Sequence, residues 1–159
     1  VPQEYALYPT LTARENLQYF GSLYHLKGKQ LNSLIDDALA IVGLSGEADR
    51  RVEHLSGGMK RRINLVAGTL HSPRLLFLDE PNVGVDVVSK SVIIDYLKDL
   101  NRRGVSILYS SHHLLEAQEL CHRIGILSGG SLIAEDTPQK IIADYNVRNL
   151  EDLFLSLRN

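Results

Sequence analysis

Four short segments hold residues whose types and spacing could do chemistry. In the first, Leu55-Ser56-Gly57-Gly58-Met59-Lys60-Arg61-Arg62 runs into Ile63, Leu65, Val66 and Leu70 at helical spacing. Two glycines let a backbone approach a ligand closely, and the following helix points its free amides and positive dipole end at the same place. With the Ser56 hydroxyl as a further donor this is an anion site; read for structure alone, it is a Gly-Gly turn capped by serine. In the second, the apolar run Leu75-Leu76-Phe77-Leu78 ends in Asp79-Glu80-Pro81. A carboxylate at the C-terminal end of a buried parallel strand stands where open α/β sheets bind ligands. Asp79 suits Mg²⁺, directly or through a water. Glu80 suits polarising an attacking water, a contribution of about 10²–10⁴-fold. The plainer alternative is an acidic pair capping a strand at the solvent edge. The third segment, Ser110-Ser111-His112-His113, ends the next apolar run. A histidine there can donate to a phosphate oxygen as charge develops, or it is an ordinary surface residue; two adjacent histidines leave the choice open. The fourth is Gln3, an amide able to bridge a metal or a water, which by itself says little.

The elements that must position these groups can be read from periodicity. Thr12-Ala13-Arg14-Glu15 has the form of a capping box, opening a helix whose apolar face is Leu17, Phe20, Leu23 and Tyr24, continuing to about Leu26. Lys27-Gly28-Lys29 breaks it. Leu31, Leu34, Ile35, Ala38, Leu39 and Val42 then predict a second helix that stops at Gly43. The runs at 75–78 and 106–110 flank a helical stretch with Val88, Val92, Ile93, Tyr96, Leu97 and Leu100 on one side. Strand, long helix, strand predicts a βαβ unit in a parallel sheet covered on both faces. A helix around 114–120 precedes a third strand at 124–127. Ser128-Gly129-Gly130-Ser131 turns into a fourth at 132–134, and Thr137-Pro138 caps a further helix. Residues 150–157 read as a small amphipathic helix.

Composition narrows the class. With 159 residues, 44% hydrophobic and 23% charged, the chain has an ordinary globular profile and enough length for a core. A net charge of −2 argues against a nucleic-acid binder working through a broad basic face. The lone Cys121 forms no internal disulfide, which fits a reducing compartment. No run of about 18 apolar residues occurs, so no spanning segment is expected. The opening Val1-Pro2-Gln3, with neither an initiator Met nor a leading element, is expected to be a cut through a larger protein.

The order of these motifs is more telling than any one of them. Gln, then Ser-Gly-Gly before a helix, then strand-Asp-Glu, then Gly84-Val85-Asp86, then strand-His succeed one another at domain-scale spacing. In this the chain resembles the ATP-binding cassette (ABC) ATPases over nearly its full length. Val1-Pro2-Gln3, with Tyr8-Pro9-Thr10-Leu11-Thr12 and Glu15-Asn16-Leu17, is similar to the Q-loop and the segment after it. Leu55 to Met59 resemble the signature motif, residues 75–80 the Walker B strand, and Asn82-Val83-Gly84-Val85-Asp86 the D-loop. His112 falls on the switch histidine. The Tyr-Pro-Thr-Leu-Thr-Ala-Arg-Glu-Asn-Leu string and residues 150–155 resemble the ABC-2 type exporters.

The resemblance implies an α/β, partial P-loop NTPase fold: a parallel sheet core with an α-helical signature sub-domain. Its expected divisions are 1–72 (Q-loop and helical sub-domain), 73–136 (core with Walker B, D-loop and switch His) and 137–159 (helical tail). It further implies ATP and Mg²⁺ as cofactors, Glu80 and His112 as catalytic groups, and Asp79 and Gln3 toward the metal. Gln3, Ser56, Gly57, Gly58 and Asp86 would bind nucleotide, with Ser56 to Gly58 reaching the ATP of a second ABC ATPase domain across a head-to-tail dimer. A transmembrane permease would receive Gln3 and the helical segment behind it, with Tyr5 and Tyr8 either in that contact or filling a loop–helix junction. The expected place is the cytoplasmic face of a membrane, with no nucleic-acid partner. Two other readings stay open at this point: a non-catalytic truncated module, and a soluble ABC-type ATPase of translation or DNA repair.

The sequence also departs from the family's pattern. No Gly-x-x-x-x-Gly-Lys occurs, so the usual grip on β- and γ-phosphates is not expected from this chain alone. In the D-loop, Asn82 stands for the frequent Thr, Val85 for Leu and Val87 for Pro, and Asn82 is expected to alter a hydrogen bond across the dimer. Strands lacking their neighbours are expected to leave an edge bare at 75–78 or 106–110.

Overall fold

In the computed structural model, which describes residues 1–156, Thr12 opens the first helix as predicted. Its Oγ accepts from the Glu15 amide at 3.1 Å, and the Glu15 carboxylate accepts from the Thr12 amide at 2.8 Å. Such a reciprocal cap contributes about 1 kcal/mol. The helix α1 (Ala13–Leu23) ends sooner than its apolar pattern suggests. Leu23 and Tyr24 are exposed rather than inward, because His25 takes φ +63° and turns the chain away one residue after the cap. The second helix, α2 (Gly28–Ile41), stops as expected: Gly43 adopts φ +68°, and the Leu44 amide reaches back to the Leu39 carbonyl at 2.7 Å. Two short 3₁₀ turns, Ser45–Glu47 and Val52–His54, lead into α3 (Gly57–Ala67).

After α3 comes the predicted unit of strand, helix and strand: β1 (Leu75–Asp79), α4 (Val87–Arg102) and β2 (Ser106–Ser110). The two strands pair in parallel from Leu75 opposite Ser106 to Asp79 opposite Ser110. Leu76 and Leu78 turn into a core shared with Ile63, Val66, Ile93 and Leu97. The other face is where expectation fails. Leu75, Phe77 and Leu108 are 51%, 57% and 59% exposed, so this sheet is covered on one face, not two, among the described residues. The buried face has α3 and α4 to pack on, while on the other Val1 and Pro2 border Phe77 and Leu108 in a shallow depression. Opposite β2, the free edge of β1 is met by Val1, which donates from its nitrogen to Phe77 O at 2.6 Å and accepts from the Asp79 amide at 3.2 Å.

Residues 1–110 form one compact unit and those from Ser111 on a second. The second holds α5 (Leu114–Leu120), β3 (Ile124–Ser128), β4 (Ser131–Asp136), α6 (Pro138–Asp144) and α7 (Leu150–Ser156). β3 and β4 are an antiparallel hairpin in a sheet of their own. Gly129 and Gly130 both take positive φ, the geometry that a tight two-residue hairpin turn requires. Thr137 caps α6 with Pro138 in its first turn, as predicted. Ile126, Ile141, Leu150 and Leu153 form a small core. The expected tail helix is present and described as far as Ser156, and Leu157 lies outside the described residues.

Candidate functional site

The Ser56-Gly57-Gly58 turn is the start of α3. Ser56 is its N-cap, and its Oγ accepts from the Met59 amide at 3.2 Å. The Lys60 amide bonds the Ser56 carbonyl, so the amides of Gly57 and Gly58 are the ones a helix cannot satisfy internally. Ser56 and Gly57 are exposed, and the Ser56 hydroxyl proton remains available to a ligand. Gly58 is buried against the start of α4. A β-carbon there would lie 2.2 Å from Ser89 Oγ and 2.5 Å from Asp86 Oδ2.

Asp86 is the N-cap of α4, with Oδ1 accepting from the Ser89 amide at 2.9 Å. Bonds from the Ser89 amide and hydroxyl hold its carboxyl below the usual carboxylate range. The loop leading to it turns at Gly84, φ +69°. Asn82, expected to act across a dimer, is buried, and its amide donates to Tyr109 Oη at 3.1 Å within the chain.

Asp79 and Glu80 leave the C-terminal end of β1 as the sequence predicts. Asp79 is exposed, and its Oδ1 accepts from the Ser110 hydroxyl at 2.7 Å. Glu80 takes φ +46°, a conformation side-chain-bearing residues rarely adopt, with its amide directed at Ser110. That amide is 3.2 Å from the Ser110 carbonyl and 3.3 Å from its Oγ. Val1 runs beside Asp79, so Gln3 departs from the same end of β1, and Gln3 and Val83 line one depression with Tyr5 and Arg61.

Spacing does not reveal what holds the Gln3 segment. Arg61, one turn into α3 and only 3% exposed, donates to the carbonyls of Pro2 at 3.1 Å and Gln3 at 2.5 Å. Its guanidinium lies 5.1 Å from the centre of the Tyr5 ring. Tyr5 Oη in turn donates to Gly57 O at 3.2 Å, and Asn64 Oδ1 accepts from the Ala6 amide at 3.1 Å. Burial lowers the Arg61 pKa. Further along, the fully buried Asn16 folds residues 8–12 around its amide, accepting from Tyr8 N at 2.8 Å and donating to Tyr8 O and Thr12 O.

In the first unit, then, Asp79, Glu80 and Ser110 are joined by hydrogen bonds, and the Ser56 turn is packed on Asp86 and tied through α3 to Gln3. His112 belongs to the second unit. It is exposed and its ring lies 4.2 Å from that of His113. Among the described residues no three His, Cys, Asp or Glu side chains gather as a metal cluster, and no helix is long and apolar enough to cross a membrane.

A cap-and-glycine helix start and an Asp-Glu pair at the end of a parallel strand stand at positions where α/β folds commonly bind ligands. The chain belongs to the ABC transporter family, whose model matches residues 1–83. It is 47% identical over 137 residues to the linearmycin resistance ATP-binding protein LnrL of Bacillus subtilis, covering 86% of this chain and 44% of that one. It is 39% identical over 143 residues to the Nod factor export ATP-binding protein I of Paraburkholderia xenovorans, covering 90% and 47% respectively. A solved ATP binding subunit of an ABC transporter superposes with a TM-score of 0.87 at 27% identity, over 100% of this chain and 67% of that structure. The chain thus spans about half the length of the curated relatives it matches.

Proposed function

We propose that this chain forms the signature and Walker B part of an ATP-hydrolysing subunit that powers an exporter. The observation that carries the reading is the Asp79-Glu80 pair at the end of β1, with Glu80 held in a left-handed backbone. The names of relatives, linearmycin resistance and Nod factor export, favour export as the class of work.

The residues present fit a magnesium ion. Mg²⁺ keeps several waters and takes one or two carboxylates together with substrate phosphates, and Asp79 offers Oδ2 while Ser110 occupies Oδ1. When bound, the ion neutralises charge on the β- and γ-phosphate oxygens. Asp79 would hold it, with Gln3 within reach of the same end of the strand. Glu80 would accept a proton from the attacking water, and His112 would donate to the γ-phosphate as charge develops. Ser56, Gly57 and Gly58 would present a hydroxyl and two amides to the ATP of a second ABC ATPase domain, with Asp86 keeping the helix starts in register. By role, 1–72 would carry the Q-loop and signature, 73–136 the Walker B, D-loop and switch His, and 137–159 the tail, a division that does not follow the compact units 1–110 and 111 onward. A transmembrane permease, met through the Gln3 segment and the helices behind it, would place the subunit at the cytoplasmic face of a membrane.

The test is Glu80→Gln in the intact subunit, carrying a phosphate loop upstream of this chain as its family does. Glutamine meets the same backbone strain as glutamate, so the exchange isolates the carboxylate. ATP binding is expected to persist while turnover stops; hydrolysis at the parent rate would remove Glu80 as the base.

A further inference from the structure

One side chain outside the catalytic set, that of Ser110, touches both carboxylate-bearing residues of the site. We infer that Ser110 is a positioning residue for Asp79 and Glu80, an inference that rests on the ATPase reading of this site. Ser110 is the register partner of Asp79 across the parallel β1–β2 pair, so the strands themselves bring the two side chains level. Its hydroxyl has one proton, and that proton goes to Asp79 Oδ1 at 2.7 Å. That bond restrains the rotation of the carboxylate and leaves Oδ2 as the oxygen that would face a cation. Groups that orient a metal-holding carboxylate in this way commonly change metal affinity or activity by about 10–100-fold when removed.

Ser110 Oγ also accepts from the Glu80 amide at 3.3 Å, beside the Ser110 carbonyl at 3.2 Å. Glu80 has φ +46°, which a side-chain-bearing residue keeps only when its surroundings hold it. One serine therefore supplies both acceptors for the amide of the strained residue and the donor for its neighbour. Alanine would leave the carbonyl bond and remove the hydroxyl, so the loss falls mainly on Asp79. Threonine would keep the hydroxyl, and a β-branched residue is at home in a strand.

The experiment compares Ser110→Ala, Ser110→Thr and Glu80→Gln in the intact subunit, measuring ATP turnover while Mg²⁺ is titrated and following unfolding in urea. For Ser110→Ala we expect the Mg²⁺ concentration at half-maximal rate to rise, and kcat to fall, each by about tenfold or more, with KM for Mg-ATP changed less than twofold and Ser110→Thr near parent values. Parent kcat and Mg²⁺ dependence in Ser110→Ala, in a protein that Glu80→Gln silences, would overturn the inference and leave the ATPase reading standing. Equal loss in the alanine and threonine variants would overturn it too, because the hydroxyl would then not be what matters. Full turnover in Glu80→Gln would remove Glu80 as the base and this inference with it, whereas no ATP turnover in the parent subunit would remove the ATPase reading itself.

Discussion

Gly58 and Ser89 approach so closely that no side chain fits between them. A β-carbon on Gly58 would sit 2.7 Å from Ser89 Cβ as well as 2.2 Å from its Oγ. The hydroxyl can rotate away, but the Cβ moves only with the first turn of α4. Gly58→Ala is therefore expected to destabilise the fold by about 1–3 kcal/mol through overpacking, less a part regained from alanine's helix preference. Gly57→Ala, whose β-carbon would meet only Tyr5 Oη at 3.3 Å, is expected to stay within about 1 kcal/mol of the parent. Urea midpoints for the pair decide the matter: equal stabilities would mean that α4 does not rest on the signature turn.

A second expectation concerns Arg61. Arg61→Met removes two donors from the carbonyls of Pro2 and Gln3 while keeping an apolar stem under Tyr5. Hydrogen bonds to a charged group contribute about 1.5–3 kcal/mol, and a loss of that order should appear in urea unfolding. Arg61→Lys should recover little of it, since one ammonium does not reproduce the planar fork that spans two acceptors. The local readout is hydrogen exchange at the Ala6 amide, bonded to Asn64. Faster exchange there in Arg61→Met is the expected result, and unchanged protection would show that the clamp holds without the guanidinium.

Acid should weaken the fold through His71. Its ring stacks on Tyr24 with centroids 3.6 Å apart and planes 3° from parallel, and its Nδ1 is buried with no hydrogen-bond partner among the described residues. Burial pushes the imidazole below its ordinary pKa of about 6.5. Below that value the unfolded chain takes up a proton that the folded one refuses. The His71 contribution is thus complete above about pH 6.5, declines as pH falls toward the lowered folded value, and levels off beneath it. His71→Phe keeps a stacking ring and cannot titrate. Its melting temperature should change less than the parent's between pH 7.5 and 5.5; parallel profiles would assign the pH dependence to other groups.

Local signals were legible in the sequence because the residues that make them are neighbours in the chain. Thr12 and Glu15, Gly43 after α2, the Gly129-Gly130 turn and Thr137-Pro138 each complete their bonding within a few positions, and each stands where periodicity put it. The unit of β1, α4 and β2 was equally plain, since its strands are short continuous runs with marked ends on either side of a long helix. Contact across distance was not legible. Nothing in Arg61 says that its partners are Pro2 and Gln3, and a Gly-Gly pair suggests a ligand before it suggests the close approach of Ser89 to Gly58. Ser110 could have been found: once β1 and β2 are taken as parallel with their ends aligned, Asp79 and Ser110 must be adjacent. Leu23 and Tyr24 misled because an apolar stripe outlives the helix that carries it.

The left-handed backbone at Glu80 has a consequence for how variation at this position would be judged. Holding a side-chain-bearing residue in that conformation costs about 1–2 kcal/mol, and glycine relieves the strain while losing about 0.5–1 kcal/mol to chain entropy. As far as the backbone is concerned, glycine at position 80 would therefore cost little, and asparagine, at ease in the same conformation, little more. A library sorted only for expression or thermal survival would let the proposed base disappear unnoticed. On the proposed role, selection for turnover is what would keep a glutamate there.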